Sequence, residues 1–228
     1  MKALSARLDA ILSLLAPCRL VADVGTDHGL LPIAAVTRGI AERAIAADLR
    51  AAPLRSAARN LAAAGVSARV TVMQGDGILA VAAYPVDAVV MAGVSGALMV
   101  RLCGAAIDVL ATVGQLVVQP NSDAPLIRAW AREHGWHLTG ERMVEDGGRF
   151  FVVCAFVRGT ATDPAYVVPG WSEADLTVIG PLLLTRKDDV ARRWYRSQRD
   201  RIHGLVRSGA PGLDAELDRW QAACEAMP

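Results

Sequence analysis

Apolar and polar positions alternate along this chain in two distinct rhythms. Residues 4–15 place Leu4, Leu8, Ile11, Leu12 and Leu15 on one face at helical spacing, and Pro17 ends the pattern. Short continuous apolar runs then alternate with helix-like segments. Runs at 20–24, 44–47, 70–73, 88–91 and 116–118 predict five buried strands. Helices are predicted from about residue 31, over 53–64 (closed by Gly65), over 98–110 and over 125–134. Strands that alternate with helices predict a parallel sheet covered on both faces.

The rhythm changes after His134. Residues 136–143 and 149–157 are two strand candidates joined by Glu145-Asp146-Gly147-Gly148, which predicts a β-hairpin and one antiparallel strand. A proline-containing joint covers 163–169. Beyond it strand signals stop, and helices are predicted over 172–184, 187–206 and 213–226, with a break at 209–212. The expected fold is therefore α/β, a Rossmann-like and mostly parallel sheet with a terminal antiparallel strand. An α/β domain over 1–162 is followed by a small, coiled-coil-like helical domain over 163–228.

Composition narrows the function classes. At 53% hydrophobic, the 228 residues are enough for a real core and exclude a disordered or collagen-like chain. A net charge of +1 gives no global signal for nucleic acid. Cys18, Cys103, Cys154 and Cys224 lie far apart with no C-x-x-C pair, so no metal site is expected and a reducing cytoplasm is the expected compartment. The apolar stretch 10–16 is interrupted by charge on its approach and fits an amphipathic helix better than an export signal, and no stretch is long enough to span a membrane.

Candidate chemistry sits where strands end. Asp23-Val24-Gly25-Thr26-Asp27-His28-Gly29 joins the first strand to the first helix, the place where open α/β sheets bind ligands. Asp27 stands where the dinucleotide fingerprint has its middle glycine. A carboxylate there repels a pyrophosphate and suits a positively charged ligand such as S-adenosylmethionine. Asp48, two dozen residues on, can accept ribose hydroxyls, and Asp76 after the third strand can meet an adenine amino group. Three acids at three successive strand ends favour a nucleoside site over three surface carboxylates. Asp27 has a structural reading beside the functional one, as a left-handed residue or helix cap. Asn121 either hydrogen-bonds a base edge or caps the next helix. His28 is either catalytic or a structural group that opens a helix.

The chain also resembles the bacterial tRNA (adenine-22-N1)-methyltransferase family. The matching segments are Ser5-Ala6-Arg7-Leu8, Asp23 through Pro32, Gln74-Gly75-Asp76-Gly77, Ala92-Gly93-Val94-Ser95-Gly96, Gln119-Pro120-Asn121, Glu145-Asp146-Gly147 and Gly180-Pro181-Leu182-Leu183. The resemblance implies S-adenosylmethionine as donor and tRNA as acceptor. It implies cofactor contacts from Asp23, Gly25, Asp27, Asp48, Leu49, Gly75, Asp76, Gly77, Ala92 and Gly93, and catalysis by Asp27, His28 and Asn121. Two departures are visible: Gly93-Val94-Ser95-Gly96 stands where the family has Gly-Met-Gly-Gly, and the C-terminal arm is somewhat short.

In the tail, residues 186–207 carry eight Arg or Lys and three Asp. Arg192, Arg196, Arg199 and His203 share a helical face, while Val190, Trp194, Ile202 and Val206 form an apolar stripe. This is either a solvated face or a phosphate-contacting arm, and the resemblance favours the arm. Trp194 and Tyr195 are candidates for stacking on bases, Trp194 also for the core. The expected protein is a cytoplasmic monomer that methylates N1 of a tRNA adenine. A methyltransferase with another acceptor, a non-catalytic RNA or nucleoside binder and an NAD oxidoreductase are the alternatives.

Overall fold

The computed structural model describes residues 4–160 and 162–227. Seven strands, β1 (Cys18–Val24), β2 (Ala41–Asp48), β3 (Val70–Gln74), β4 (Ala88–Val94), β5 (Gln115–Pro120), β6 (Trp136–Asp146) and β7 (Arg149–Arg158), form one sheet in the order β3-β2-β1-β4-β5-β7-β6. β1 to β5 run parallel, and β7 is antiparallel to both β5 and β6. β1, β4 and β5 lie mid-sheet and are covered on both faces, which is why their sequences read as continuous apolar runs. The hairpin strands are longer than their apolar runs predict, because pairing continues to Asp146↔Arg149 and leaves Gly147-Gly148 as a two-residue turn.

The helices are α1 (Ala6–Leu14), α2 (Leu30–Thr37), α3 (Ala51–Ala63), α4 (Gly96–Ala105), α5 (Ile107–Leu110), α6 (Ala124–Glu133), α7 (Glu173–Ile179), α8 (Pro181–Arg186), α9 (Asp189–Arg207) and α10 (Asp214–Glu225). One face of the sheet packs against α1 and α2, through Ile11, Leu12, Ala34 and Val36 against Val21, Val90 and Val117. The other face carries a single apolar core that runs from Val89, Leu116 and Phe156 through Met99 and Trp130 into the tail, where Leu176, Leu183, Tyr195 and Trp220 continue it.

The helix expected over 172–184 is two helices, broken at Gly180-Pro181. A buried ion pair explains how this break is tolerated. Arg128 of α6 and Glu141 of β6, 1% and 0% exposed, meet at 2.7 Å. The Arg128 guanidinium donates to the carbonyls of Thr177 and Val178 at 3.1 and 3.2 Å, where α7 ends. The Glu141 carboxylate accepts the N–H groups of Leu182 and Leu183, both at 3.1 Å, where α8 begins. The pair thus satisfies orphan groups at two helix ends. Burial opposes the Arg128 charge, but Glu141, with smaller contributions from Cys154 and Tyr166, more than offsets this, and the guanidinium pKa is raised.

The apolar stripe of α9 is wider than expected, since Val190, Trp194, Ile202 and Val206 all pack into the core and Ala191 and Tyr195 join them. Ala191, Tyr195 and Ile202 are its buried residues, and the Tyr195 hydroxyl donates to the Ile179 carbonyl at 3.0 Å. Tyr195 is therefore core and has no face left for a base, whereas Trp194 is only half buried.

Candidate functional site

Strand order reverses between β1 and β4, with β2 and β3 on one side and β5 on the other. A crevice opens at such a point above the strand ends. Here it is a cleft of about 400 Å³, lined by Asp23, Gly25, Asp27, His28, Asp48, Ala92 and Gly93 among others. Its floor is the turn after β1. The N–H groups of Gly25 and Thr26 both donate to the Ala47 carbonyl of β2, at 2.8 and 2.9 Å. That fold-back needs φ = +84° at Gly25, a left-handed value that a side chain resists. The loop then closes on α3. Gly29 lies so near Ala57 that a Cβ there would sit 3.1 Å from the alanine methyl group.

Two carboxylates end up side by side. Asp23 and Asp48 are both buried at the ends of neighbouring strands. Burial pushes the Asp23 carboxyl up to about 6, and the Asp48 charge adds to the rise. The Thr26 hydroxyl offsets part of it, yet no well-formed hydrogen bond meets its buried Oγ1. Asp48 accepts the Arg50 N–H at 2.8 Å. Two acids and an unpartnered hydroxyl at one cleft wall fit a ligand that brings both positive charge and hydroxyl groups.

The β4 and β5 ends build the far wall. Asn121 follows β5; its Nδ2 donates to the Gly93 carbonyl at 2.7 Å and its N–H to the Val94 carbonyl at 2.8 Å. Gln119, fully buried, donates from Nε2 to Asn121 Oδ1 at 3.2 Å and accepts from Arg7 Nη1 of α1 at 3.1 Å. The Asn121 amide is thereby oriented, and it keeps one N–H and one lone pair. The helix-cap reading of Asn121 fails, because the residue at the start of α6 is Asp123. Ser95, where the glycine is lost, caps α4 by accepting the Leu98 N–H at 3.2 Å. Gly96 next to it leaves no room for a Cβ against the Asp123 carbonyl.

The sequence pattern of the methyltransferase domain family matches residues 4–154, the segment that forms this cleft. The chain belongs to that family. The tRNA (adenine(22)-N(1))-methyltransferase of Bacillus subtilis (strain 168) is 29% identical to it over 216 residues, 95% of this chain and 90% of the relative. The crystal structure of the B. subtilis M1A22 tRNA methyltransferase TrmK superposes with a TM-score of 0.83 at 27% identity, covering 100% of this chain and 98% of the other. TrmK of M. capricolum, solved in complex with S-adenosyl-homocysteine, shares the fold at 16% identity with a TM-score of 0.81, and 99% of each chain is covered.

In this methyltransferase Asp27 stands at the cleft mouth, its side chain 73% exposed, with Oδ2 3.1 Å from His28 Nε2. Both structural readings of Asp27 fail. The residue that opens α2 in left-handed geometry is Gly29, and Asp27 is not among the described non-glycine residues with positive φ. His28 lies in the turn and not at the first helical position. Its Nδ1 is 3.3 Å from Ser56 Oγ, and its carbonyl accepts from Asn60 Nδ2 at 2.9 Å, so α3 holds it in place.

Leu49, Gly75, Asp76 and Gly77 are not among the residues that line the cleft; they continue its rim at the β2 and β3 ends. Gly75 donates to the Asp48 carbonyl at 3.2 Å, and Gln74 to that of Leu49 at 3.0 Å. Leu49 is 61% exposed and Asp76 is exposed. Arg7, Thr26 and Arg50 line the cleft and were not among the expected site residues. Arg7 lies in a matched segment, but no spacing rule links residue 7 to residue 119. Among the described residues no group of three or more His, Cys, Asp or Glu is placed to hold a metal ion.

On α9, Arg196 and Arg199 line a second cleft, of about 490 Å³, with His203. Arg192 is not among its lining residues and pairs with Asp189 at 3.0 Å; Arg199 pairs with Asp200 at 2.7 Å. Arg196 is exposed and forms no ion pair among the described residues. No helix among the described residues is long and apolar enough to cross a membrane.

Proposed function

We propose that this methyltransferase moves a methyl group from S-adenosylmethionine to N1 of an adenine in tRNA, position 22 as in the named relatives, acting as a cytoplasmic monomer. The single observation that carries the reading is the buried Asp23–Asp48 pair over the cleft. Two adjacent acids in a low-dielectric wall call for a cationic partner, and the donor carries an ammonium and a sulfonium. In this reading Asp23 faces the donor's positive end and Asp48 accepts its ribose hydroxyls. Asp76 receives the adenine amino group beside exposed Leu49, with Gly75 and Gly77 shaping that rim. Gly25, Ala92 and Gly93 let the backbone approach the donor.

The donor supplies a methyl group bound to a sulfonium, and the neutral adenine N1 accepts it through its free lone pair, so no base has to remove a proton first. The product ring is a cation. A carboxylate fixed nearby stabilises charge that grows in the transition state. Asp27, held by His28, takes that role, and the free N–H and lone pair of Asn121 grip the edge of the extruded base. Arg192, Arg196 and Arg199 supply phosphate contacts from a helical unit that starts at residue 163.

The test is methyl transfer to a tRNA transcript carrying adenine 22 and to the same transcript with guanine there, with the product located by mass spectrometry. Calorimetry with S-adenosylhomocysteine and with NAD accompanies it. Methylation confined to the first transcript, with binding of the sulfur nucleoside only, is the expected result. Binding of NAD alone, or equal inactivity on both transcripts, overturns the reading.

A further inference from the structure

Asn121 has a second neighbourhood. Beyond it a groove of about 560 Å³ runs between the start of α6, the β6–β7 hairpin and the helices α9 and α10. That is a volume typical of ligand sites. Asn121 lines the groove, and its side chain and N–H bind the carbonyls of Gly93 and Val94, which line the methyl-transfer cleft. One residue therefore forms the wall between the two.

The groove walls are aromatic. Phe150 comes from the hairpin, Trp194 from α9 and Trp220 from α10. Trp194 is half buried and fixed from behind, 5.2 Å from the Tyr195 ring and edge-on at 5.3 Å to Trp220. Trp220 is 4% exposed and backs Trp194 as part of the core. At the groove's edge, Gln198 makes no side-chain hydrogen bond among the described residues, and Arg201 has only a long 3.7 Å contact to Glu216.

A flat aromatic ring with hydrogen-bonding edge atoms and a phosphate attached answers the half-buried Trp194, the unbonded Gln198 amide and the loosely paired Arg201 together. We propose that the groove binds an unpaired base of the tRNA strand adjacent to the target adenine. The base stacks on Trp194, its polar edge bonds the Gln198 amide, and its phosphate lies toward Arg201. This rests on the proposed function, and adds a reason for the helical tail to sit beside the cleft. A strand anchored in the groove can present the neighbouring nucleotide across Asn121, which fixes where the extruded adenine enters. Stacking on an aromatic side chain tolerates any base, so the groove supplies affinity and register without reading sequence.

Three variants and one modified RNA test it, by tRNA binding and steady-state methylation, with S-adenosylhomocysteine affinity as control. Trp194→Ala is expected to weaken tRNA binding and raise KM for tRNA by about tenfold or more, while Trp194→Phe keeps most of the affinity. Gln198→Trp, which fills the groove without removing core atoms, is expected to do the same as Trp194→Ala, and it decides the matter alone if Trp194→Ala does not fold. A transcript with an abasic nucleotide at 21 or 23 is expected to bind the wild type weakly, with no further loss in Trp194→Ala. Cofactor-product affinity stays unchanged throughout. Wild-type tRNA affinity in folded Trp194→Ala and Gln198→Trp overturns the proposal and leaves the groove as an ordinary packing defect or a protein-docking face. Failure of the wild type to methylate any tRNA is a separate result, and sinks the function itself.

Discussion

Arg7 and Gln119, 112 residues apart in sequence, meet through a 3.1 Å hydrogen bond from Nη1 to the buried Oε1. The guanidinium also lies over the Phe151 ring, 5.3 Å from its centroid. The first helix thus reaches across the sheet end to set the amide on which Asn121 depends. Arg7→Leu leaves Gln119 with an unmet buried acceptor, which costs roughly 1–3 kcal/mol. The proposed role of Asn121 adds a kinetic expectation, a fall of about tenfold in kcat in either Arg7→Leu or Gln119→Leu. The double variant is expected to lose no more than the worse single one, because both break one chain of bonds. Additive losses in kcat would separate Arg7 from Asn121.

Asp23 predicts a pH dependence with a defined sign. Its carboxyl lies at about 6 in the fold against an ordinary 3.8. Between these values the native state holds a proton that the unfolded chain has released. Stability of the ligand-free protein therefore falls as pH rises through that window. The full penalty, about 3 kcal/mol, is present at neutral pH. A cationic donor favours the ionised form, so donor affinity is expected to rise with pH through about 6. Asp23→Asn is expected to raise the unfolding free energy at pH 7 and to lower S-adenosylhomocysteine affinity at least tenfold. Denaturant melts and calorimetry at pH 5 and pH 8 check both halves, and a flat affinity profile removes Asp23 from the site.

Asp27 neither caps α2 nor adopts positive φ. Neither Asp27→Asn nor Asp27→Ala is then expected to shift the thermal midpoint measurably. If the carboxylate stabilises the developing cation, as proposed, single-turnover methylation in Asp27→Asn falls on the order of a hundredfold. Full turnover in that variant transfers the role to His28 or Asn121.

The tail arginines are not equivalent. Arg192 and Arg199 already have carboxylate partners, whereas Arg196 has none among the described residues. Arg196→Gln is therefore expected to flatten the log–log salt dependence of tRNA binding by about one unit, as one lost phosphate contact should. Arg192→Gln is expected to change it less. Equal slopes for wild type and Arg196→Gln would return this face to plain solvation.

The Arg128–Glu141 pair holds α7 and α8 onto the sheet domain. Removing one partner strands the other charge in the core, and Arg128→Met is expected to destabilise the fold by roughly 3–5 kcal/mol. Adding Glu141→Leu is expected to recover part of this loss only, because the N–H groups of Leu182 and Leu183 then lose their acceptor. Chemical denaturation of the three proteins measures it.

The sequence by itself determined the layers, the strand ends that carry the candidate site and the chemistry class. Buried parallel strands announce themselves as short apolar runs, and the acids Asp27, Asp48 and Asp76 lie within three residues of the last residue of their strands. These are local signals, readable within a few residues. Helix ends were less legible. Gly180 looks like an interruption of one helix, and only the charge pair from α6 and β6 makes it a junction of two. The stripe of α9 was read too narrowly, because the burial of Tyr195 beside Trp194 depends on the Ile179 carbonyl that receives its hydroxyl. Arg7 was present in a matched segment but had no assignable job, since a hydrogen bond spanning 112 residues leaves no periodicity behind. Side-chain roles within a turn follow from the local chain. The meeting of residues from the first helix, two strand ends and the tail around Asn121 was decided only by packing the sheet between its two layers.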